Sequence, residues 1–220
     1  MIEYVLNTVK EAQIENVNIV IGYEKEQVRD AVNTWNSQKG DLNLSYTIQE
    51  EQLGTGHAVM MASPHINHES DYLLVLLGDV PFIKKSTILK AWNYIKEINA
   101  GAVVLTMMLD NPTGYGRIIK DNDNLLKGIK EEKDATSEEK KIKEVNTGIF
   151  IFNNKKLWEN ISKLTNNNNQ KEYYLTDMVE IFNQNNIKTC SFLCEDAREL
   201  MGINSVEQLK EMEQIFLPTL

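Results

Sequence analysis

The run Tyr72-Leu73-Leu74-Val75-Leu76-Leu77 is apolar throughout and stops on Gly78-Asp79-Val80-Pro81. An uninterrupted apolar segment bounded by turn residues reads as a strand buried on both faces. Such strands belong to sheets covered by helices on two sides. Val17–Ile21 is a second short apolar, β-branched run, and Leu42–Gln49, Ala102–Leu109, Val145–Phe152 and Lys188–Leu193 add further strands. Between them the apolar spacing changes to that of helices, at residues 1–13, Glu24–Trp35, Thr55–Ala62, Ser86–Ile98, Asn154–Leu164, Tyr173–Phe182 and Ser205–Phe216. This alternation predicts an α/β chain with a mostly parallel sheet and helices on both faces. Asn111–Gly116 reads as a loop, with short strands at Arg117–Lys120 and Leu125–Glu131 and a charged, solvated stretch to Lys143.

The length of 220 residues suffices for one large core, and one domain spanning residues 1–220 is the economical reading. With 32 acidic against 23 basic residues the formal charge is -9, which argues against nucleic-acid or anionic-membrane binding. Phosphate recognition stays open, because backbone N–H groups and Mg2+ perform it without a basic face. Cys190 and Cys194 form no disulfide framework and no metal motif. The opening residues lack the pattern of a secretory leader, and no apolar stretch reaches the ~20 residues of a membrane span, so a cytoplasmic location is expected.

Two places carry candidate chemistry. Gly54-Thr55-Gly56 opens a helix, where glycine lets a ligand approach the backbone; equally, it is a turn that needs positive φ. Asp79 ends a buried strand, where ligands of open α/β sheets gather; equally, it is a turn aspartate before Pro81. His57, His65 and His68 have no metal spacing, and Trp35, Trp92 and Trp158 lie on helical faces as packing residues.

The ordered set of segments resembles the uridylyltransferase domain of bacterial N-acetylglucosamine-1-phosphate uridylyltransferases. The matching stretches are Gln49–Ala58, Gly78–Pro81, Asp110–Ile118, Glu131–Ala135, Glu144–Gly148, Leu164–Asn168, Glu172–Asp177 and Gly202–Asn204. They include the asparagine run at residues 166–169, which by composition alone is only a loop. The resemblance implies a Rossmann-like nucleotidyltransferase sheet. It also implies synthesis of UDP-N-acetylglucosamine from UTP and N-acetylglucosamine 1-phosphate, in the service of peptidoglycan and cell wall synthesis.

The resemblance assigns Gln49, Gly54 and Thr55 to the base, with Gly78 beside the nucleotide. Asp79 and Asn204 would hold Mg2+ against the phosphates, and Gly116, Glu131 and Asn146 would contact the sugar. Glu172 and Tyr174 would line the same pocket, or else form a helix start beside a turn. Leu77 stands where the family has a tyrosine.

The family's first strand, its glycine-rich phosphate loop and the following lysine have no counterpart within residues 1–220, so the expectation is an N-terminally truncated domain. In the family that strand lies mid-sheet, and its absence exposes unpaired backbone on two strand edges. No hexapeptide repeat follows the domain, so no acetyltransferase activity is expected. The alternative to an enzyme is a catalytically inactive remnant, or a module that binds sugar nucleotides. Homo-oligomerisation is left open.

Overall fold

The apolar runs do become strands and the 3.6-period segments helices. The computed structural model describes residues 1–122 and 125–216. In chain order these are α1 (Ile2–Glu11), β1 (Asn16–Ile21), α2 (Lys25–Lys39), β2 (Asn43–Ile48), α3 (Thr55–Ala62), β3 (Tyr72–Val75), α4 (Lys85–Ile98) and β4 (Ala102–Met108). There follow β5 (Arg117–Lys120), β6 (Leu126–Lys130), β7 (Glu144–Asn153), α5 (Asn154–Asn160), α6 (Met178–Gln184), β8 (Thr189–Leu193) and α7 (Val206–Phe216). Ser205 caps α7 as its sequence position implies, accepting from Gln208 N at 3.2 Å.

The architecture is α/β, with the strands in two groups. β1 and β2 form a parallel pair. The remaining strands form one mixed sheet in the order β6-β5-β7-β4-β8, with β3 on β7. β4 and β8 are parallel. β3, β4 and β8 share one direction, and β7 runs against them. β7 carries β4 along one edge, while β3 takes residues Phe150–Asn153 of the other edge and β5 meets it at Val145.

Alternation along β4 and β7 sends side chains to two cores. Val104, Phe150 and Phe152 meet Met178, Val179 and Phe182 of α6 on one face, while Val103, Leu105, Ile149 and Ile151 meet Ile88, Ala91 and Ile95 of α4 on the other. The first core contains an aromatic stack, Phe150 on Phe152 at 5.3 Å, with Phe182 edge-on to Phe152 at 6.1 Å. Each such fully buried ring contributes roughly 1.5–3 kcal/mol. A third cluster joins α1, β1 and α2 through Val5, Leu6, Ile19, Val32 and Trp35. Trp35 also donates to Asn7 Oδ1 at 3.0 Å, so it is a packing residue as expected.

One helix begins later than its periodicity predicts. Tyr173 N–H donates to Leu53 O at 2.7 Å, and Tyr173 O accepts from Gly56 N at 2.8 Å. Both backbone groups are committed to another segment, so residues 172–174 stay outside the helix. Helical structure starts with a 3-10 turn at Leu175–Asp177, which leads into α6.

Candidate functional site

A cleft of about 2030 Å³ runs past the ends of β1, β2 and β3. Gln49, Thr55, Gly78, Asp79, Gly116, Glu131, Asn146 and Asn204 all contribute to its lining. The tertiary fold thus brings together eight residues chosen from the sequence. Gly54, Glu172 and Tyr174 are not among the lining residues.

Gly54 has φ of +100°, and a Cβ there would lie 2.7 Å from Tyr173 O and 2.9 Å from Glu172 Cβ. Its glycine is therefore required by the turn and by the close passage of residues 172–173. Thr55 Oγ1 accepts from Leu175 N at 3.2 Å, which clamps the same segment. Gln49 Nε2 donates to Gly54 O at 3.1 Å and meets His57 Nδ1 at 3.0 Å. These contacts orient the Gln49 amide and leave its oxygen as the acceptor turned to other uses. His57, the first-turn histidine of α3, also stands 6.2 Å ring to ring from Tyr173. The sequence offered no signal for this orienting contact.

Asp79 follows β3 and is exposed. Its carboxylate has no hydrogen-bond or ion-pair partner among the described residues. Ile203 N donates to Asp79 O at 2.8 Å, which holds Asn204 one residue away. A Cβ on Gly202 would sit 3.8 Å from Asp79 Oδ2. The two loops, far apart in sequence, therefore meet and face one cleft. Tyr115 closes this corner. Burial pushes its phenol above the ordinary range; the Gly202 backbone acts against that shift, and the Asp79 charge adds to it.

Asp79 and Asn204 offer oxygen donors of the kind Mg2+ takes while keeping waters and phosphate oxygens in its shell. No group of three or more His, Cys, Asp or Glu side chains is placed to hold a metal among the described residues. The donor set fits an ion shared with a phosphate ligand, not a closed protein cage. Among the described residues, Lys96 is the sole lysine or arginine in the cleft lining.

The third corner joins β5, β6 and β7. Asn146 N donates to Gly116 O at 2.8 Å, and Asn146 Oδ1 accepts from Gly148 N at 3.0 Å. A Cβ on Gly116 would be 3.3 Å from both Glu131 carboxylate oxygens, so the glycine keeps that carboxylate uncovered. Thr176 Oγ1 donates to Glu131 Oε1 at 3.0 Å. Burial raises the Glu131 pKa; the Thr176 hydroxyl opposes the shift, and Asp177, Asp134 and Glu172 add to it. Arg117 is 1% exposed and pairs with Glu132 at 2.7 Å, tying the loop before Gly116 to the turn after Glu131. Arg117 lies inside a quoted motif, but only the fold assigns it this positioning role.

Glu172 and Tyr174 serve the adjoining loop. Glu172 O accepts from Asn168 Nδ2 at 2.6 Å and Glu172 N donates to Asn168 Oδ1 at 3.2 Å, so the asparagine run acts as a clip. Tyr174 is buried, accepts from Gln170 Nε2 at 2.7 Å, and has its phenol pushed up to about 12, chiefly by burial.

Asp177, beside this corner, is raised to about 6 by burial and then by Glu180. A carboxyl raised in the folded state adds stability at low pH that is lost as pH climbs from the usual carboxylate range through about 6. Asp177→Asn should therefore raise the melting temperature at pH ~7.5 by about 3 °C, a figure reduced for its partial solvent exposure, and by much less at pH ~4.5. Thermal melts at the two pH values check this; an equal shift at both would refute it.

Over residues 1–198 the chain matches the nucleotidyl transferase family. It is 42% identical over 215 residues to the bifunctional protein GlmU of Acetivibrio thermocellus, covering 98% of this chain and 45% of that protein. It is 41% identical to the protein of the same name in Clostridioides difficile, with the same coverage of 98% and 45%. The chain thus spans less than half the length of the relatives it matches. Among solved structures, apo UDP-glucose pyrophosphorylase superposes with a TM-score of 0.75 at 18% identity, covering 98% of this chain and 86% of that one. UDP-glucose pyrophosphorylase complexed with UDP-glucose gives 0.73 at 19% identity, again covering 98% and 86%. At such identities the likeness is one of fold.

Proposed function

We propose that this chain, which belongs to the nucleotidyl transferase family, carries the uridine-nucleotide and amino-sugar-phosphate site of an enzyme that makes UDP-N-acetylglucosamine. The substrates would be UTP and N-acetylglucosamine 1-phosphate, with pyrophosphate released. One observation carries the reading: an exposed Asp79 carboxylate, with no hydrogen-bond or ion-pair partner among the described residues, shares a cleft with Gln49, Gly116, Glu131 and Asn146.

In this reading the Gln49 amide and the Thr55 turn address the uracil edge. Glu131 and Asn146 accept and donate to sugar hydroxyl and acetamide groups, and Gly116 allows the close approach. Asp79 and Asn204 would hold Mg2+, which when bound supplies positive charge against the phosphates. The sugar phosphate oxygen attacks the α-phosphorus of UTP, so no protein nucleophile is needed. The contribution of the side chains is alignment, because a well-oriented pair of reactants reacts far faster than free ones. A histidine base is likewise not required, and His57 is engaged by Gln49 at 3.0 Å.

A second reading has its own support. A triphosphate carries concentrated negative charge, and Lys96 is the sole lysine or arginine lining the cleft among the described residues. A cation-poor cleft favours a module that binds the sugar nucleotide without turning over UTP. Pyrophosphate release from UTP and N-acetylglucosamine 1-phosphate in the presence of Mg2+, measured beside calorimetric binding of UDP-N-acetylglucosamine, separates the two. Turnover supports the enzyme, and binding without turnover supports the module. Absence of both refutes the site.

A further inference from the structure

We propose that Gln208 of α7 is a positioning residue for the divalent-ion corner: through its bond to the Asn204 backbone it holds that asparagine beside the Asp79 turn. The inference rests on the proposed pairing of Asp79 with Asn204. It extends that pairing to a helix that contributes no residue to the cleft lining among the described residues.

Ser205-Val206-Glu207-Gln208 has the sequence of a capping box. In that motif the glutamine at the third helical position returns its side chain to the N–H of the capping residue. Half of the box is present, since Gln208 N donates to Ser205 Oγ at 3.2 Å. The other half is displaced by one residue. Gln208 Oε1 accepts from Asn204 N at 2.8 Å, so the side chain reaches past the cap to the residue assigned to the ion. A bond that served only to finish the helix would end at Ser205. The preceding amide is also engaged, because Ile203 N donates to Asp79 O at 2.8 Å. Asn204 is thus tethered from the Asp79 turn on one side and from the first turn of α7 on the other.

Gln208 can hold Asn204 only if α7 is itself anchored, and its anchors lie on the same two loops. Phe216 stacks on Phe82, in the turns after Asp79, at 5.1 Å with 11° between the ring planes. Met212 of α7 and Ile203, the neighbour of Asn204, are buried in the same cluster. Tyr4 OH donates to Glu213 Oε1 at 2.6 Å, and the Tyr4 ring meets Phe82 at 5.5 Å. Lys84 Nζ lies 5.3 Å from the Phe216 ring centre and is held in turn by Glu199 Oε1 at 2.9 Å. A helix of 11 residues is marginal without such packing. Helix, Asp79 turn and Asn204 loop therefore share one apolar seat.

The arrangement links the helix to the ion. An asparagine already held in place has less freedom to lose when the ion arrives. By the same linkage, an ion bound between Asp79 and Asn204 steadies α7. Gln208 touches neither ion nor nucleotide in this arrangement. Its share is that of one exposed hydrogen bond, so the expected effect is several-fold, far below that of a ligand to the ion.

The test compares the affinity of the 220-residue chain for UTP in Mg2+ and in EDTA by calorimetry. Gln208→Ala should lower the affinity in Mg2+ about fivefold and leave that in EDTA unchanged. Gln208→Glu keeps the accepting oxygen at the same reach and should restore most of the loss, in enough salt to screen its added charge. In an Asn204→Ala background Gln208→Ala should add nothing, because it acts through Asn204. Phe216→Ala, which removes the stack on Phe82, should lower the Mg2+-dependent affinity in the same sense. Without nucleotide, the Ile203 amide should exchange about threefold faster in Gln208→Ala than in the parent chain, although Gln208 makes no bond to it.

An equal loss in Mg2+ and in EDTA, or a further loss in the Asn204→Ala background, would reduce Gln208 to a helix cap and overturn the proposal. An unchanged Ile203 amide would overturn it as well. Asp79→Ala separates this proposal from the site it rests on. If Asp79→Ala lowers the Mg2+-dependent affinity and Gln208→Ala does not, the ion site stands and the positioning role falls. If neither Asp79→Ala nor Asn204→Ala lowers it, or if the parent chain binds no UTP in either condition, the site itself fails and the positioning role falls with it.

Discussion

Asp79→Ala is expected to weaken Mg2+-dependent binding of UTP by roughly 100-fold, or about 3 kcal/mol, while leaving the fold intact. The carboxylate is exposed and has no hydrogen-bond or ion-pair partner among the described residues, so its removal breaks no internal contact. The backbone bond from Ile203 N to Asp79 O at 2.8 Å survives the substitution, and Asn204 keeps its position. The expected signature is a loss of affinity in Mg2+ that is much smaller in EDTA, with an unchanged melting temperature. Calorimetric titration under both conditions measures it. Equal affinities for the variant and the parent chain in Mg2+ would remove Asp79 from the metal role.

Gly54→Ala is expected to destabilise the protein by about 3 kcal/mol, a fall in melting temperature of about 10 °C. Two effects combine. The backbone at φ +100° and ψ 175° lies in a region that only glycine adopts freely. The added methyl would also stand 2.7 Å from the carbonyl oxygen of Tyr173, a residue whose N–H is held by Leu53 O and whose C=O is held by Gly56 N. The turn cannot yield without releasing residues 172–175, and these lead into Thr176, which orients Glu131. The substitution should therefore weaken sugar-phosphate binding although Gly54 does not line the cleft. Thermal melts and a sugar-phosphate titration check the two parts; a variant that melts like the parent would refute the turn argument.

The same residues explain how far the sequence could be read. Gly54 was legible as a glycine with two roles, ligand approach or positive φ, and its φ of +100° shows the second. Asp79 was legible as a strand-end carboxylate, because an apolar run followed by Gly-Asp is a local pattern. Its meeting with residues 202–204 is a contact between loops more than a hundred residues apart, which periodicity does not encode. Tyr173 and Tyr174 have helical spacing, yet Tyr173 is drawn into an extended bridge with Leu53 and Gly56. The asparagine run looked like filler by composition, and Asn168 turns out to clip the loop at Glu172.

Periodicity along the chain determined where strands and helices form and which faces they bury, because side-chain direction within an element is local geometry. The ordered motifs likewise determined the family resemblance. Only the tertiary structure decided that β7 runs against β3, β4 and β5, that residues of β1 and β3 line one cleft, and that Glu199 is buried against Lys84 and Thr87. Strand partners and buried polar pairs are chosen by competition among distant segments for the same hydrogen bonds and the same apolar surface, and no local window of residues contains that competition.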